Sequence, residues 1–197
     1  MPSPSSVPDV LTRDVVLPRL RGRFGRIYVY RERCPSTQRL LGLELPEGAV
    51  AVAEEQTEGR GRLGRRWVAP RGTSILCSLL LRPNAEPVHL PELTPLAAEA
   101  CAEAIGAQTA LSPRVKHPND VLVADRKVAG ILGEVRENAV VLGIGVNVNV
   151  PADKLPADTR IPATSLLAET GQRIDRAALL ATLLERLEHR YDRWTAA

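Results

Sequence analysis

The chain has 197 residues, of which 44% are hydrophobic, so it can bury one good core and is not a disordered chain. Its 26 basic residues are nearly matched by 23 acidic ones, and a net charge of +3 is lower than a dedicated nucleic-acid-binding protein usually carries. Three cysteines without a C-x-x-C pair, no secretory signal and no apolar run of membrane-spanning length together predict a cytoplasmic protein without disulfides or structural zinc.

The first half of the chain predicts short strands joined by polar connections. Residues 1–9 hold three prolines and three serines, and we expect them to be frayed. A helical stretch begins at Ser36-Thr37, and a long polar loop occupies 54–72. Strands are predicted where apolar residues cluster, at 27–30, 49–53 and 74–81.

The second half of the chain predicts a helix followed by an antiparallel meander. Thr94 would cap that helix and Pro95 would open it, because the missing N–H of proline costs nothing at a first helical position. The helix would end near Gly106. Strands are then predicted at 114–116, 121–123, 128–135 and 140–147, with turns at Asp125-Arg126 and Glu137-Asn138.

Two helices are predicted to end the chain. The first covers 164–169 and stops at Gly171, and Asp175 caps the second. Apolar residues in the second helix keep a spacing of three or four and so mark one buried face: Leu180, Leu183, Leu184, Leu187, Tyr191 and Trp194. These elements predict an α+β fold, with a single mixed, largely antiparallel sheet flanked by helices.

The stretch EGRGRLGRRW, residues 58–67, has the G-x-G-x-x-G spacing of a dinucleotide-binding loop. Such a loop must open a helix whose N-terminus binds the pyrophosphate, but Pro70 and Gly72 block a helix here. The acidic residue expected about 20 positions later is also absent, since no Asp or Glu lies between Glu58 and Glu86. The dinucleotide interpretation is therefore disfavoured.

Three other interpretations of this loop stay open. Its arginines, together with the basic run at 21–33, could contact nucleic acid, although a charge run is more often a solvated surface. The loop could also be exposed and without a role. Alternatively it is a mobile loop that closes over an anion, because glycines let the backbone approach a ligand and arginines bind carboxylate or phosphate in bidentate fashion.

Two further segments carry polar groups suited to a binding site. CPSTQ (34–38) has three small polar side chains at a predicted helix start, where Ser36 could simply be the cap. KHPND (116–120) places a cation, an amide and a carboxylate in one turn, which Asn119-Asp120 could merely close.

Two more segments combine glycines with polar residues on predicted strands. DRKVAGILGE (125–134) offers Lys127 at a strand start, with Gly130 allowing a ligand to approach closely. GIGVNVN (143–149) has two strand glycines and two asparagines. Those glycines could equally mark a β-bulge or tight packing.

In this order, the five segments resemble the catalytic domain of the biotin protein ligases over about residues 25–195. STQ is similar to the family's S-T-N signature, QTEGRGRLGRRW to its glycine-arginine loop, KHPND to its K-W-P-N-D and RKVAGILGE to its R-K-x-x-G-I-L segment. The resemblance implies the biotin/lipoate protein ligase fold and an ATP-dependent ligase. From biotin and Mg²⁺–ATP it would form biotinyl-5′-adenylate, and it would then pass biotin to a lysine of a biotin carboxyl carrier protein.

The residue chemistry suits such a reaction. Adenylate formation gathers the charge of a carboxylate and three phosphates at one point, so it needs fixed cations and backbone N–H groups there. The mixed anhydride must also be protected from water. A glycine-arginine loop that becomes ordered over the ligand would supply both.

The resemblance implies a role for each matched residue. Lys127 and Arg62 would stabilise charge as the adenylate forms, and Asp120 would receive the carrier's lysine and favour its deprotonation. Biotin would contact Ser36, Thr37, Gln38, Gln56, Gly59, Arg60, Gly61, Arg62, Lys127, Gly130, Gly143 and Gly145. The nucleotide would contact Arg62, Arg65, Trp67, Asn119, Lys127 and Asn147. The resemblance assigns no Mg²⁺ ligands.

Two residues depart from the family pattern. Gln38 stands where Asn is usual, which lengthens a contact to the ureido ring of biotin by one methylene. His117 stands where Trp is usual and removes a large apolar wall near the site. For His117 a packing role is favoured over added pH sensitivity.

The resemblance also shapes what we expect of the whole chain. Residues 1–24 would be a partly flexible N-terminal extension, and 25–197 the catalytic domain. Neither a helix-turn-helix domain nor the small SH3-like domain of many relatives is expected, so DNA is not an expected partner, nor is a membrane. A homodimer is plausible by family analogy. The nearest alternative is a lipoate or octanoate ligase, and the alternative of another class is a noncatalytic nucleic-acid-binding protein.

Overall fold

A computed structural model of the chain describes residues 9–157 and 159–196, which build one seven-stranded sheet with helices against it. The strands are β1 (Tyr28–Cys34), β2 (Val50–Gln56), β3 (Ser74–Leu81), β4 (Arg114–Lys116), β5 (Asp120–Val123), β6 (Arg126–Arg136) and β7 (Ala139–Asn147). The α-helices are α1 (Arg13–Val16), α2 (Leu93–Gln108), α3 (Leu166–Thr170) and α4 (Arg176–Thr195). In space the strands run β1-β2-β3-β7-β6-β5-β4. Only β1 and β2 pair in parallel, so the predicted mixed, largely antiparallel sheet is confirmed.

The start of α2 differs from the prediction. A 3₁₀ segment over Pro87–Glu92 runs directly into the helix, which begins at Leu93 with Glu92 at the cap position. Thr94 therefore lies inside the first turn and is not the cap. A helix continued from a preceding turn already has backbone partners for its first N–H groups, so it needs no side-chain cap.

The turn between β5 and β6 is also displaced by one residue. It consists of Ala124 and Asp125, with φ of 46° and 60°, and Arg126 is already the first residue of β6. Two successive positive φ values are typical of the tight hairpin turn that matches the twist of the flanking strands. The predicted turn at Glu137-Asn138 is confirmed.

The last helix agrees with its prediction. The Asp175 carboxylate accepts a hydrogen bond from the Ala178 N–H at 3.0 Å and so caps α4. Of the predicted apolar face, Leu180 through Tyr191 are buried, and Trp194 packs at its edge. Among the described residues, no helix combines the length and the apolar character needed to cross a membrane.

The two faces of the sheet are built from different residues. Because side chains alternate along a strand, Leu142, Ile144 and Val146 of β7 enter the main core with α2 and α4. The opposite face of the same strand presents Gly143 and Gly145. This second face is therefore recessed, and the candidate site lies there.

Residues 9–24 contribute to the main core rather than lying apart from it. Leu11, Val16, Leu20 and Phe24 are buried in the same cluster as α4. Of the residues predicted to be frayed, 1–8 lie outside the described part of the chain, and Asp9 is held by ion pairs at the start of α4. The packed structure thus begins well before residue 25.

Candidate functional site

A cavity of about 340 Å³ opens on the recessed face of the sheet. The predicted residues that line it come from all five sequence segments: Ser36, Thr37, Gln38, Gln56, Arg60, Gly61, Arg62, Arg65, Trp67, Asn119, Asp120, Lys127, Gly130, Gly143, Gly145 and Asn147. Of the predicted residues Gly59 alone does not line it. The folded chain thus brings together segments that are far apart in sequence.

One end of the cavity is neutral and polar. Ser36 and Thr37 are 2% exposed, and Ser36 stands at the cap position of a 3₁₀ turn, Thr37–Leu40, without making a cap hydrogen bond. The Gln56 side-chain oxygen accepts hydrogen bonds from the Thr37 N–H at 2.7 Å and from its hydroxyl at 3.1 Å. The Thr37 hydroxyl also lies 2.8 Å from that of Ser78. Hydroxyls held this way can recognise a small neutral polar group.

Gln38 reaches across β7 toward β6. Its side-chain amide donates to the Leu132 carbonyl at 3.2 Å. A Cβ added at Gly143 would lie 3.0 Å from the Gln38 amide carbon. The register of β7 against β3 and β6 is unbroken, so Gly143 marks this close approach and not a bulge.

A cation and a carboxylate meet at the other end of the cavity. The Lys127 ammonium lies 2.6 Å from Asp120 Oδ1, and both side chains are mostly buried. Asn119 donates to Asp120 at 3.2 Å and accepts from Arg62 at 2.9 Å. Asn119-Asp120 therefore does more than close a turn, since it fixes both a charge pair and an arginine of the loop.

Trp67 occupies the space that two strand glycines leave open. A Cβ added at Gly145 would lie 2.5 Å from Trp67 Cε2, and one at Gly130 would lie 3.1 Å from Trp67 Cζ3. The indole N–H is buried and has no hydrogen-bond partner among the residues that the structure describes. The Lys127 ammonium is 5.8 Å from the indole ring centroid, within reach of a cation–π interaction.

We expect Gly145→Ala to displace the Trp67 ring. The added Cβ would be closer to the ring than any van der Waals contact allows, and overpacking of this kind costs about 1–3 kcal/mol. The measurement is Trp67 fluorescence and urea unfolding in a Trp194→Phe background. Gly106→Ala is the matched control, because its nearest atom is 3.7 Å away. Unchanged Trp67 emission and stability in Gly145→Ala would contradict this packing.

The glycine-arginine loop forms a short hairpin over the cavity. Its two arms pair at Arg60 and Arg66, and the Trp67 N–H donates to the Gly59 carbonyl at 2.9 Å. A Cβ at Gly59 would lie 2.5 Å from the Trp67 carbonyl, so this glycine closes the base of the hairpin. Its predicted contact with biotin stays a prediction. At the tip, Leu63 has φ 59° and is 88% exposed.

Sequence reasoning missed one wall of the cavity. Pro156, Thr159, Arg160, Ile161 and Ala163 line it. This segment pairs with the start of β6: the Lys127 N–H donates to the Pro162 carbonyl at 2.7 Å, and the Thr164 N–H to that of Lys127 at 2.9 Å. It has no glycine-rich or charged pattern by which it could have been recognised.

His117 and Cys77 complete the description of the cavity and its surroundings. His117 is exposed and does not line the cavity, so the favoured packing role is wrong. Cys77 does line it, and burial raises the pKa of its thiol to about 12. Cys77 is therefore a protonated wall residue and not a nucleophile.

The electrostatic character of the cavity is cationic at one end. Lys127 and Arg62 lie at that end, beside Asp120 and Asn119, whereas Arg60 reaches the Gln38 side chain at 3.4 Å. Arg65, Arg66 and Arg160 also line the cavity, and of the described lining residues Asp120 is the one carboxylate. Asn147 is held at the wall by a hydrogen bond from its amide to the Thr164 carbonyl at 3.0 Å. In the described residues no group of three or more His, Cys, Asp or Glu could hold a metal ion. The cavity suits an anionic ligand with a neutral polar end.

Comparisons with known proteins agree with this geometry. Residues 30–150 match the biotin/lipoate A/B protein ligase family. The bifunctional ligase/repressor BirA of Bacillus spizizenii is 39% identical over 176 residues, which are 85% of this chain and 54% of that protein. The biotin–[acetyl-CoA-carboxylase] ligase of Mycobacterium tuberculosis is 39% identical over 155 residues, 77% of this chain and 57% of that protein.

A solved structure shares the fold. The biotin protein ligase from Aquifex aeolicus in complex with biotin and ATP superposes with a TM-score of 0.78 and 31% identity. The match covers 87% of this chain and 72% of that one. The chain spans about half the length of the curated relatives it matches.

Proposed function

Because the chain belongs to the biotin/lipoate A/B protein ligase family, we propose that it is a biotin protein ligase. It would form biotinyl-5′-adenylate from biotin and ATP and transfer biotin to a lysine of a biotin carboxyl carrier protein. The observation that carries the proposal is a single cavity with a neutral polar end and a cationic end, covered by a glycine-arginine hairpin. Biotin has the matching arrangement of polar groups, with a ureido ring at one end and a carboxylate at the other.

The polar end favours biotin over lipoate. Ser36 and Thr37 are buried and Gln56 is half-buried, and Thr37 and Gln56 hold each other in place by hydrogen bonds. Their hydroxyl and amide groups can hydrogen-bond a ureido group, whereas a dithiolane ring offers them neither a strong donor nor a strong acceptor. A site built to hydrogen-bond its substrate rejects an analogue without those groups strongly. Gln38 bonds to Leu132 across Gly143, so it would form the side of the ring pocket.

The cationic end suits formation of the adenylate. The biotin carboxylate attacks the α-phosphate of ATP, pyrophosphate leaves, and negative charge is concentrated between the two substrates. Lys127 and Arg62 both line the cavity and would stabilise that charge. Trp67 and Asn147 would hold the adenine, and the hairpin would keep water from the anhydride.

Mg²⁺ would enter with ATP as part of the substrate. With Asp120 as the one carboxylate among the described lining residues, most of its ligands would be phosphate oxygens and water, the set that Mg²⁺ prefers. The ion would neutralise phosphate charge at the cationic end.

Transfer to the carrier needs a neutral amine. The carrier's lysine attacks the carbonyl carbon of the anhydride, AMP leaves, and one proton must be removed from the nitrogen. Asp120, 2.6 Å from Lys127, lies beside the expected position of that carbonyl and would favour the loss of the proton.

The proposal is tested by incubating the chain with biotin, Mg²⁺–ATP and a biotin carboxyl carrier domain. We expect mass spectrometry to show one biotin adduct on the carrier, absent when ATP is omitted. Calorimetry should show biotin binding at least about 100-fold more tightly than lipoate, a conservative figure for a site whose polar groups the analogue leaves unpaired. The reverse preference, or no adduct with an intact fold, would reject a biotin ligase.

A further inference from the structure

One row of side chains on β6 runs along the cavity and continues beyond its edge. Because side chains alternate along a strand, Gly130, Leu132, Glu134 and Arg136 share the face that carries the site. Gly130 and Leu132 line the cavity itself, whereas Glu134 lies just outside it, beneath the glycine-arginine hairpin. Nothing in the proposed reaction uses Glu134.

Glu134 ties the hairpin to β6 through Arg60, in addition to the contact of Arg62 with Asn119. The Arg60 guanidinium lies 2.8 Å from one of its carboxylate oxygens and 3.0 Å from the other. The same carboxylate accepts from Arg136 at 3.0 Å. Arg136 in turn donates to the Gln38 carbonyl at 3.0 Å, in the turn that carries the polar end of the cavity.

This arrangement makes Glu134 a fixed anchor and Arg60 a movable partner. Arg136 holds the carboxylate from within β6, and the Glu134 side chain is 25% exposed. The Arg60 backbone belongs to the hairpin, where it pairs with Arg66, and its guanidinium has one other side-chain contact among the described residues, a long hydrogen bond of 3.4 Å to the Gln38 side-chain oxygen. The Arg60 side chain is 42% exposed, so it would be fully solvated as soon as the ion pair opened.

We propose that Glu134 is a positioning residue that latches the hairpin closed over the cavity. The inference rests on the proposed function, since it assigns the latch the task of retaining biotin and its adenylate. Glu134 acts through Arg60 and touches neither substrate. Without it, Arg60 is released and the closed hairpin opens more often, while Lys127 and Arg62 keep their contacts with Asp120 and Asn119.

The first experiment compares Glu134→Gln with wild type. We expect the rate of biotin dissociation to rise about fivefold, equivalent to about 1 kcal/mol, with little change in the association rate. The amount of free biotinyl-adenylate that escapes during turnover should rise with it. Glu32→Gln is the matched control, because it breaks an exposed ion pair with Arg71 at 2.8 Å that lies away from the hairpin.

A second experiment measures how often the hairpin opens in the ligand-free protein. Trypsin cleaves after arginine, and we expect cleavage within 60–66 to be several-fold faster in Glu134→Gln than in wild type or Glu32→Gln, with the unfolding midpoint unchanged. Adding Glu134→Gln to Arg60→Gln should have much less effect than Glu134→Gln alone, because the contact between the two residues is already lost and only the pair of Glu134 with Arg136 is still changed. Additive effects, or cleavage equal to the control, would overturn the latch.

The two measurements separate this inference from the proposed function. If the wild-type chain binds no biotin, the ligase proposal fails, whereas the ligand-free cleavage still decides whether Glu134 holds the hairpin. If biotin binds and Glu134→Gln neither releases it faster nor exposes the hairpin, the latch is wrong and the ligase proposal stands.

Discussion

Lys127→Ala is expected to lower the rate of adenylate formation by about 100- to 1,000-fold, the size typical of losing one preorganised group that stabilises developing charge. Lys127 is the one lysine of the described cavity wall, 2.6 Å from Asp120 and 5.8 Å from the Trp67 ring centroid. In the proposed reaction, the substitution would remove the cation from the point where the carboxylate and the α-phosphate meet. The loss should therefore appear in the chemical step more than in biotin affinity.

The fold should survive this change. The contacts that place residue 127 at the start of β6 are made by its backbone, to Pro162 and Thr164, and alanine keeps them. The measurement is biotin-dependent exchange of pyrophosphate into ATP, with circular dichroism as a check on folding. Lys154→Ala is the control, because that side chain is 63% exposed and lies outside the cavity. Exchange within twofold of wild type would remove Lys127 from the catalytic role.

The site could be predicted from the sequence to the extent that its residues lie in short ordered segments. STQ, the glycine-arginine loop and KHPND each concentrate several lining residues within a few positions, so recognising the segment located the residues. The segment at 156–163 could not be found this way. Its place in the wall depends on backbone pairing with Lys127, and backbone hydrogen bonds leave no pattern in the sequence.

The glycines of the site show even more clearly what a sequence pattern cannot predict. From the sequence, Gly143 and Gly145 were compatible with a bulge, with tight packing or with a ligand, since glycine serves all three. The structure excludes a bulge and shows close packing, because Gln38 and Trp67, from distant segments, take up the space where their side chains would be, while contact with a ligand stays a prediction. Gly59 has a further role that the sequence did not indicate, since the Trp67 carbonyl across the hairpin leaves no room for a Cβ there.

The fold holds one feature that no local pattern could indicate, a fully buried arginine. Arg176, the first residue of α4, is 0% exposed and pairs with Asp9 at 2.7 Å and with Glu54 at 2.8 Å. It also donates to the Ser74 carbonyl at 2.9 Å, and the Glu54 carboxylate accepts from the Leu11 N–H at 2.7 Å. One buried cluster thus joins the N-terminal segment, β2, β3 and α4.

Arg176→Met is expected to lower the free energy of unfolding by about 3–5 kcal/mol. Methionine matches much of the volume but leaves Glu54, 5% exposed, as a buried carboxylate without a counter-charge, and breaking such a pair from one side costs that amount. Arg173→Met is the matched control: it pairs with the same Asp9 at 2.8 Å but is 63% exposed, so about 0–1 kcal/mol should be lost.

Urea unfolding of the two variants decides between a buried charge and a merely well-packed side chain. If the unpaired Glu54 carboxylate is the cause, adding Glu54→Gln to Arg176→Met should recover part of the loss, because the remaining group is then neutral. If lost packing were the cause, the second substitution would lower the free energy of unfolding further. A loss in Arg176→Met no larger than in Arg173→Met would show that the cluster does not hold the N-terminal segment to the sheet.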